Sequence, residues 1–129
     1  MIVDSSALVA TIKGESDGPR LAQIMDAAKS IRISAASYLE TSIVIDGLRS
    51  PAHSARLDEL IEETGIVIEP VTVAQAKIAR QAYRDYGKGS GHPANLNFGD
   101  CFSYALAREK REPMLWKGDG FGFTDLRPA

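Results

Sequence analysis

Cysteine is almost missing from this sequence, with Cys101 alone among 129 residues. No disulfide framework can form within the chain, which suits a reducing compartment. The thiol lies in the apolar run Phe98-Gly99-Asp100-Cys101-Phe102 with no histidine beside it, so it reads as a small buried hydrophobe and not as a nucleophile. Histidine is as scarce: His53 and His92 have no metal-ligand spacing and are expected to face solvent or to brace a loop, and the usual Cys/His zinc set is excluded. No apolar run reaches the ~18 residues that a membrane-spanning helix needs. Met1-Ile2-Val3-Asp4 meets a carboxylate too early for the apolar region of a signal peptide. A soluble, unprocessed, cytoplasmic protein with no membrane partner is therefore expected. Positive charge is not in surplus either: 15 Lys and Arg stand against 17 Asp and Glu, a net charge of −2. Without an overall basic field, any nucleic-acid binding must be local or carried by cations. A nucleotide-binding P-loop is absent too, because Gly87-Lys88 lacks both the earlier glycine and the following Ser or Thr.

What is present is a patterned apolar complement, 44% of the residues, enough for one core in one domain over residues 1–129. Ile2-Val3, Ile31-Arg32-Ile33, Ile66-Val67-Ile68 and Met114-Leu115-Trp116 read as short buried strands. Between them run amphipathic helices: Ser5 to Ile12; one capped by Ser16 or Asp17 and carrying Leu21, Ile24, Met25 and Ala28; Ser34 to about Arg49; and Ser50-Pro51 to Gly65. Thr72-Val73-Ala74-Gln75 matches a capping box that opens a helix through Tyr86, residues 88–96 are a loop by composition, and a last helix spans about Phe98 to Arg111. The alternation predicts an α/β fold, a three-layer α/β/α domain around a central parallel sheet.

In open parallel sheets ligands bind beyond the carboxyl ends of the strands. Asp4 ends the first strand, Glu40 lies within two turns of the second, Asp119 follows the fourth, and Asp100 stands in the first turn of its helix. Each has a structural alternative: Asp4 as a helix cap, Asp100 as a partner of a helix dipole, Asp119 as a turn residue between glycines. Glu40 is harder to account for structurally, because it shares a stripe with Ala36, Ile43 and Gly47 and has no cation one turn away. Clustered carboxylates repel unless a cation intervenes, and an all-oxygen ligand set favours Mg²⁺, with Mn²⁺ as a substitute. Such a site acts on phosphodiesters. Lys77, Arg80, Arg84 and Lys88 form a basic stripe able to meet successive phosphates, or a plain solvated helix face.

The segments Met-Ile-Val-Asp4-Ser-Ser6, Ile33 to Glu40, Asn97-Phe98-Gly99-Asp100-Cys101 and Leu115-Trp-Lys-Gly-Asp119-Gly-Phe121 together resemble a VapC-type PIN domain along essentially the whole chain. The resemblance implies a Mg²⁺-dependent endoribonuclease, the toxin of a VapBC-like pair. It also implies an RNA substrate, a VapB-like antitoxin whose other end binds operator DNA, and a homodimer. Asp4, Glu40 and Asp100 match the family's metal-binding acids and Ser6 its supporting hydroxyl. The fourth acid departs from the pattern: the usual position, directly before Phe, is Gly120, and the acid stands one earlier at Asp119, with Asp125 as an alternative. A phosphotransferase using Asp4 is disfavoured because position 6 is Ser6 and not a second acid. A weakened PIN module that only binds antitoxin or RNA is the remaining rival.

Overall fold

The computed structural model describes residues 1–129. In chain order it runs β1 (Ile2–Val3), α1 (Ser5–Ile12), α2 (Gly18–Ala27), β2 (Arg32–Ser34), α3 (Ala35–Gly47), α4 (Pro51–Glu63), β3 (Val67–Glu69), α5 (Val73–Tyr86), α6 (Phe98–Lys110) and β4 (Met114–Leu115), followed by a 3₁₀ turn at Gly120–Phe123. All strand pairs are parallel, in the order β3-β2-β1-β4. The α/β sandwich expected from the strand and helix alternation is thus the observed fold.

Two-residue periodicity divides the core. Val3, Ile33 and Leu115 point into one cluster with Leu8 of α1, Leu21 and Met25 of α2, Ile45 of α3 and Leu57 and Leu60 of α4. Ile2 and Met114 point the other way, against Ala82 of α5 and Tyr104, Leu106 and Ala107 of α6. Burying each such aliphatic side chain contributes about 1.5–3 kcal/mol. That is the source of the three layers: four helices on one face of the sheet and two on the other.

Several local expectations shift. Ser50 caps α4 by accepting from the His53 amide, as its sequence suggests. Asp17 precedes α2 without a side-chain cap. At Thr72 only half of the capping box forms: its hydroxyl accepts from the Gln75 amide, but the Gln75 side chain is buried and donates to Glu109 of α6 at 2.9 Å. A tertiary partner outcompeted the local one. The complete capping box lies instead at α6, where Asn97 accepts from the Asp100 amide at 2.9 Å and Asp100 accepts from the Asn97 amide at 3.0 Å. The buried face of α3 is Ser37, Thr41 and Ile45, whereas Leu39 and Ile43 are 58% and 63% exposed. The apolar stripe beside Glu40 is therefore not the core face. His92 braces its loop, its ring accepting from the Ala94 amide and packing edge-on against Tyr86. His53 lies half-buried in α4.

Candidate metal and nuclease site

Because the strands are parallel, the segments leaving β1, β2 and β4 emerge on the same edge of the sheet, and the first turn of α6 meets them there. Asp4 leaves β1 and caps α1: one carboxylate oxygen accepts from the Ser6 amide at 2.9 Å and the Ser6 hydroxyl at 2.6 Å, the other from the Ser103 hydroxyl of α6 at 2.6 Å. It is only 2% exposed. The Ser103 proton is committed to Asp4, so the Ser37 hydroxyl donates to Ser103 across their 3.0 Å contact. Ser6 also accepts from the Lys117 amide at 3.0 Å, which ties the turn after β4 to Asp4.

Glu40, on the second turn of α3, accepts from the Ser5 hydroxyl at 2.5 Å and lies flat against Gly99. A Cβ at position 99 would come within 2.0 Å of the Glu40 carboxylate, so glycine is what lets this acid reach the neighbourhood of Asp100. Asp100 and Asp119 line one cleft of about 370 Å³ with Asp4, Ser6 and Lys117. Glu40 is not part of that lining, yet its charge is felt there. The Asp100 carboxyl is pushed up to about 6 from 3.8, mainly by burial, with the negative charges of Asp4 and Glu40 adding and the Asn97 amide opposing.

None of these four acids has a cationic partner. Other acids are paired: Glu112, before β4, with the Met1 ammonium at 2.5 Å and with Arg32 at 3.1 Å, and Glu69, which ends β3, with Arg32 at 2.7 Å. The nearest lysine on the cleft, Lys117, is taken by Glu15 at 2.9 Å and Asp17 at 3.5 Å. As the side chains stand, no three acids form a ready ligand set; Asp4, Glu40 and Asp100 are each turned to a protein donor, and Asp119 is exposed. The donor chemistry nevertheless fits a hard divalent cation: carboxylate and hydroxyl oxygens only, with uncompensated negative charge. Asp100 keeps Oδ1 and Glu40 keeps Oε2 free of protein donors, and these oxygens could serve such an ion while the capping bond and the Ser5 contact stay in place.

A family model described as PIN domain matches residues 1–125. The chain belongs to the PIN-domain family. Within it the similarity is to VapC ribonucleases: 57% identity over 129 residues to VapC28 of Mycobacterium tuberculosis, covering 100% of this chain and 97% of that protein. VapC42 of the same species is 47% identical over 129 residues, at 100% and 98% coverage. A crystal structure of M. tuberculosis VapC20, described as a sarcin-ricin loop cleaving toxin, superimposes with a TM-score of 0.71 at 18% identity, covering 98% of each chain. FitAcB from Neisseria gonorrhoeae does so with 0.70 at 19% identity, covering 99% of this chain and 96% of that one. The present PIN domain is accordingly a VapC-type ribonuclease toxin, a class that in general depends on divalent metal, acts on RNA and is held by an antitoxin. None of its helices is long and apolar enough to cross a membrane.

The PIN domain's departure at the fourth acid has a steric setting. A Cβ at Gly120 would stand 2.8 Å from the Ala94 carbonyl oxygen, so the position that usually carries an acid has no room for one here. Asp119 follows Gly118, whose φ of +98 turns the chain, and precedes the 3₁₀ turn without capping it. Its carboxylate stays exposed in the cleft. Asp125 is engaged elsewhere, accepting from the Tyr104 hydroxyl at 2.7 Å and pairing with Arg108 at 3.2 Å. Reading the sequence missed Ser103, Ser37, Ser5 and Gly99. Ser103 and Ser37 had a signal, since each stands three residues from a candidate acid on one helix, Asp100 and Glu40 respectively. Cys101 is buried and its thiol is raised by that burial and by Asp100, consistent with an inert core residue.

Proposed function

We propose that Asp4, Glu40, Asp100 and Asp119 form the metal-binding catalytic centre of a Mg²⁺-dependent endoribonuclease, with Mn²⁺ as a substitute, in a single nuclease domain spanning the chain. The observation that carries this reading is the gathering at the carboxyl edge of a parallel sheet of a buried Asp4 and a half-buried Glu40 and Asp100, with Asp119 on the same cleft as Asp4 and Asp100, and no cationic partner for any of them. A bound divalent cation would supply Lewis acidity to a phosphodiester and balance the charge of the acids. Ser6 and Ser103 hold the Asp4 carboxylate by both oxygens, so that it presents a fixed charge to the cleft. The Asp100 carboxyl, near 6 mainly through burial in the metal-free protein, is one that a bound cation would favour in its ionised form. Asp119 is free to orient water from the open side of the cleft.

The proposed partners are a VapB-like antitoxin, which binds operator DNA on behalf of the pair, and a second copy of the chain in a cytoplasmic homodimer. Support for a protein partner comes from the apolar side chains left exposed on α3 and β3, among them Ile43, Val44, Val67 and Ile68. An antitoxin arginine entering the cleft would satisfy the acids as a cation does. The test is cleavage of a defined RNA by antitoxin-free protein. Mg²⁺ should restore activity removed by a chelator, and Asp4→Asn should abolish it in a folded protein. Cleavage undiminished in chelator, or full activity of Asp4→Asn, would overturn the reading.

A further inference from the structure

A second depression lies beside the acid cluster. Helix α5 and the first turns of α6 enclose a groove of about 670 Å³, floored by Ala76, Ala79, Cys101 and Phe102, with Tyr83 and Phe98 at its aromatic wall. Phe98 is 79% exposed, a high value for so large an apolar side chain, and it is braced from its own helix by Phe102, ring centroids 4.9 Å apart in a T-shaped pair. Arg80, Arg84 and Lys88 complete the lining, which contains no carboxylate. Arg32, Arg56, Arg108 and Lys117 all form ion pairs, but Arg80, Arg84 and Lys88 form none. Arg80 and Arg84 are one turn apart, about 6 Å along the helix at 1.5 Å per residue, so they can engage successive groups of an extended polyanion. The groove ends at Asn97 and Phe98, immediately before Gly99 and Asp100.

We infer that this groove binds a single strand of RNA and leads it to the acids, with an unstacked base on the aromatic wall formed by Phe98 and Tyr83 and the backbone phosphates on Arg80, Arg84 and Lys88. The inference rests on the nuclease reading of the adjoining cleft and extends it to the form of the substrate. Charge complementarity selects the occupant. A peptide designed to neutralise the acids must itself be basic, and three unpaired cations would repel it here; an RNA strand brings negative charge to the cations and flat bases to the aromatics. Single strands are favoured because a duplex hides its base faces in the stack. The arrangement also gives a chain of net charge −2 a local positive field for RNA, because Arg80, Arg84 and Lys88 line one groove that holds no carboxylate.

The experiment uses antitoxin-free protein and one end-labelled RNA, either single-stranded or annealed to its complement. Binding is measured by fluorescence anisotropy in chelator, and cleavage kinetics are then measured with Mg²⁺. Wild type should prefer the single strand. Phe98→Ala should weaken single-strand binding on the order of tenfold, and Phe98→Trp should restore it. Arg80→Gln/Arg84→Gln/Lys88→Gln should flatten the dependence of log affinity on log salt by about 2, from three contacts at ~0.7 each on a single strand. In cleavage these changes should raise KM and leave kcat within a few-fold, and melting curves check that the variants fold. Unchanged affinity and KM in both variants, with cleavage intact, would refute the groove and leave the nuclease. Binding with these dependences but no cleavage under any metal would instead refute the nuclease reading. If sedimentation shows that the variants dissociate a dimer while keeping RNA affinity, the groove is an interface between copies and the inference fails.

Discussion

Replacing Asp100 by asparagine removes a charge but keeps an oxygen that can accept from the Asn97 amide, so the capping box of α6 can survive the change. In metal-free protein the wild-type carboxyl sits near 6 in place of 3.8, chiefly through burial and secondarily through Asp4 and Glu40. Because the folded-state value lies above the unfolded one, the folded protein holds this proton more tightly. Between about pH 4 and 6 the folded state is protonated where the unfolded state is not, so wild type loses stability as pH rises through that window and stays at the lower level above it. The gap corresponds to at most ~3 kcal/mol, and since the carboxyl remains partly open to solvent, about 1–2 kcal/mol is the expected size. Asp100→Asn escapes the loss. It should match wild type near pH 4 and exceed it at pH 7–8 by roughly 4–8 °C in melting temperature, while cleavage of a defined RNA disappears. The assay is a series of thermal melts of both proteins in chelator from pH 4 to 8, since the difference between the two cancels other titrating groups. A variant that melts below wild type at pH 7–8 would show that the carboxylate serves the helix end more than it suffers from its neighbours, and the account of a strained acid cluster would be wrong.

The glycine beside Glu40 offers a sharper geometric test: Gly99→Ala places a methyl group within 2.0 Å of that carboxylate, so Glu40 must swing away and cleavage should fall at least ~10-fold with a folded protein; unaltered kcat/KM would mean that Glu40 is not needed where it lies. Ser103→Ala deletes the hydroxyl that holds Asp4 at 2.6 Å and strands the Ser37 hydroxyl; denaturant titration should show a loss of about 1–2 kcal/mol and activity should drop with it, whereas a neutral outcome would show that the pair is replaceable by water. Asp119→Asn should lower cleavage with partial rescue at higher Mg²⁺ or by Mn²⁺. Asp125→Asn, which loses the ion pair with Arg108 but keeps an oxygen for the Tyr104 hydroxyl, should instead cost a little stability, about 0.2–1 kcal/mol, and leave metal dependence alone. Exchange of those two phenotypes would move the fourth acid to Asp125.

Local pattern alone was enough to read the layered α/β arrangement, because the strands are short, built around apolar residues and separated by helices whose caps are written in adjacent residues; Ser34, Ser50 and Asn97 mark helix starts within three positions, although Val67 and Ile68 of the edge strand β3 are exposed and not buried as their pattern suggests. Asp4 and Asp100 could likewise be singled out by position relative to those elements, and the motif around Asn97 to Cys101 pointed to the family. What distance along the chain conceals is which side chains meet. That Ser103 reaches Asp4 across 99 positions, that Gln75 abandons its capping box for Glu109, and that Glu40 leans on Gly99 are consequences of how α3, α5 and α6 pack on the sheet. The hydrogen-bonding capacity of a serine or glutamine is not directional in sequence, so its partner is chosen only when the backbone brings one within reach. The same holds for charge: composition gave a net value of −2, but the folded chain decides that Glu112 meets the Met1 ammonium and Arg32 while Asp4, though buried, meets only hydroxyl and amide donors. Coulomb energy depends on separation and burial, and both are properties of the packed molecule.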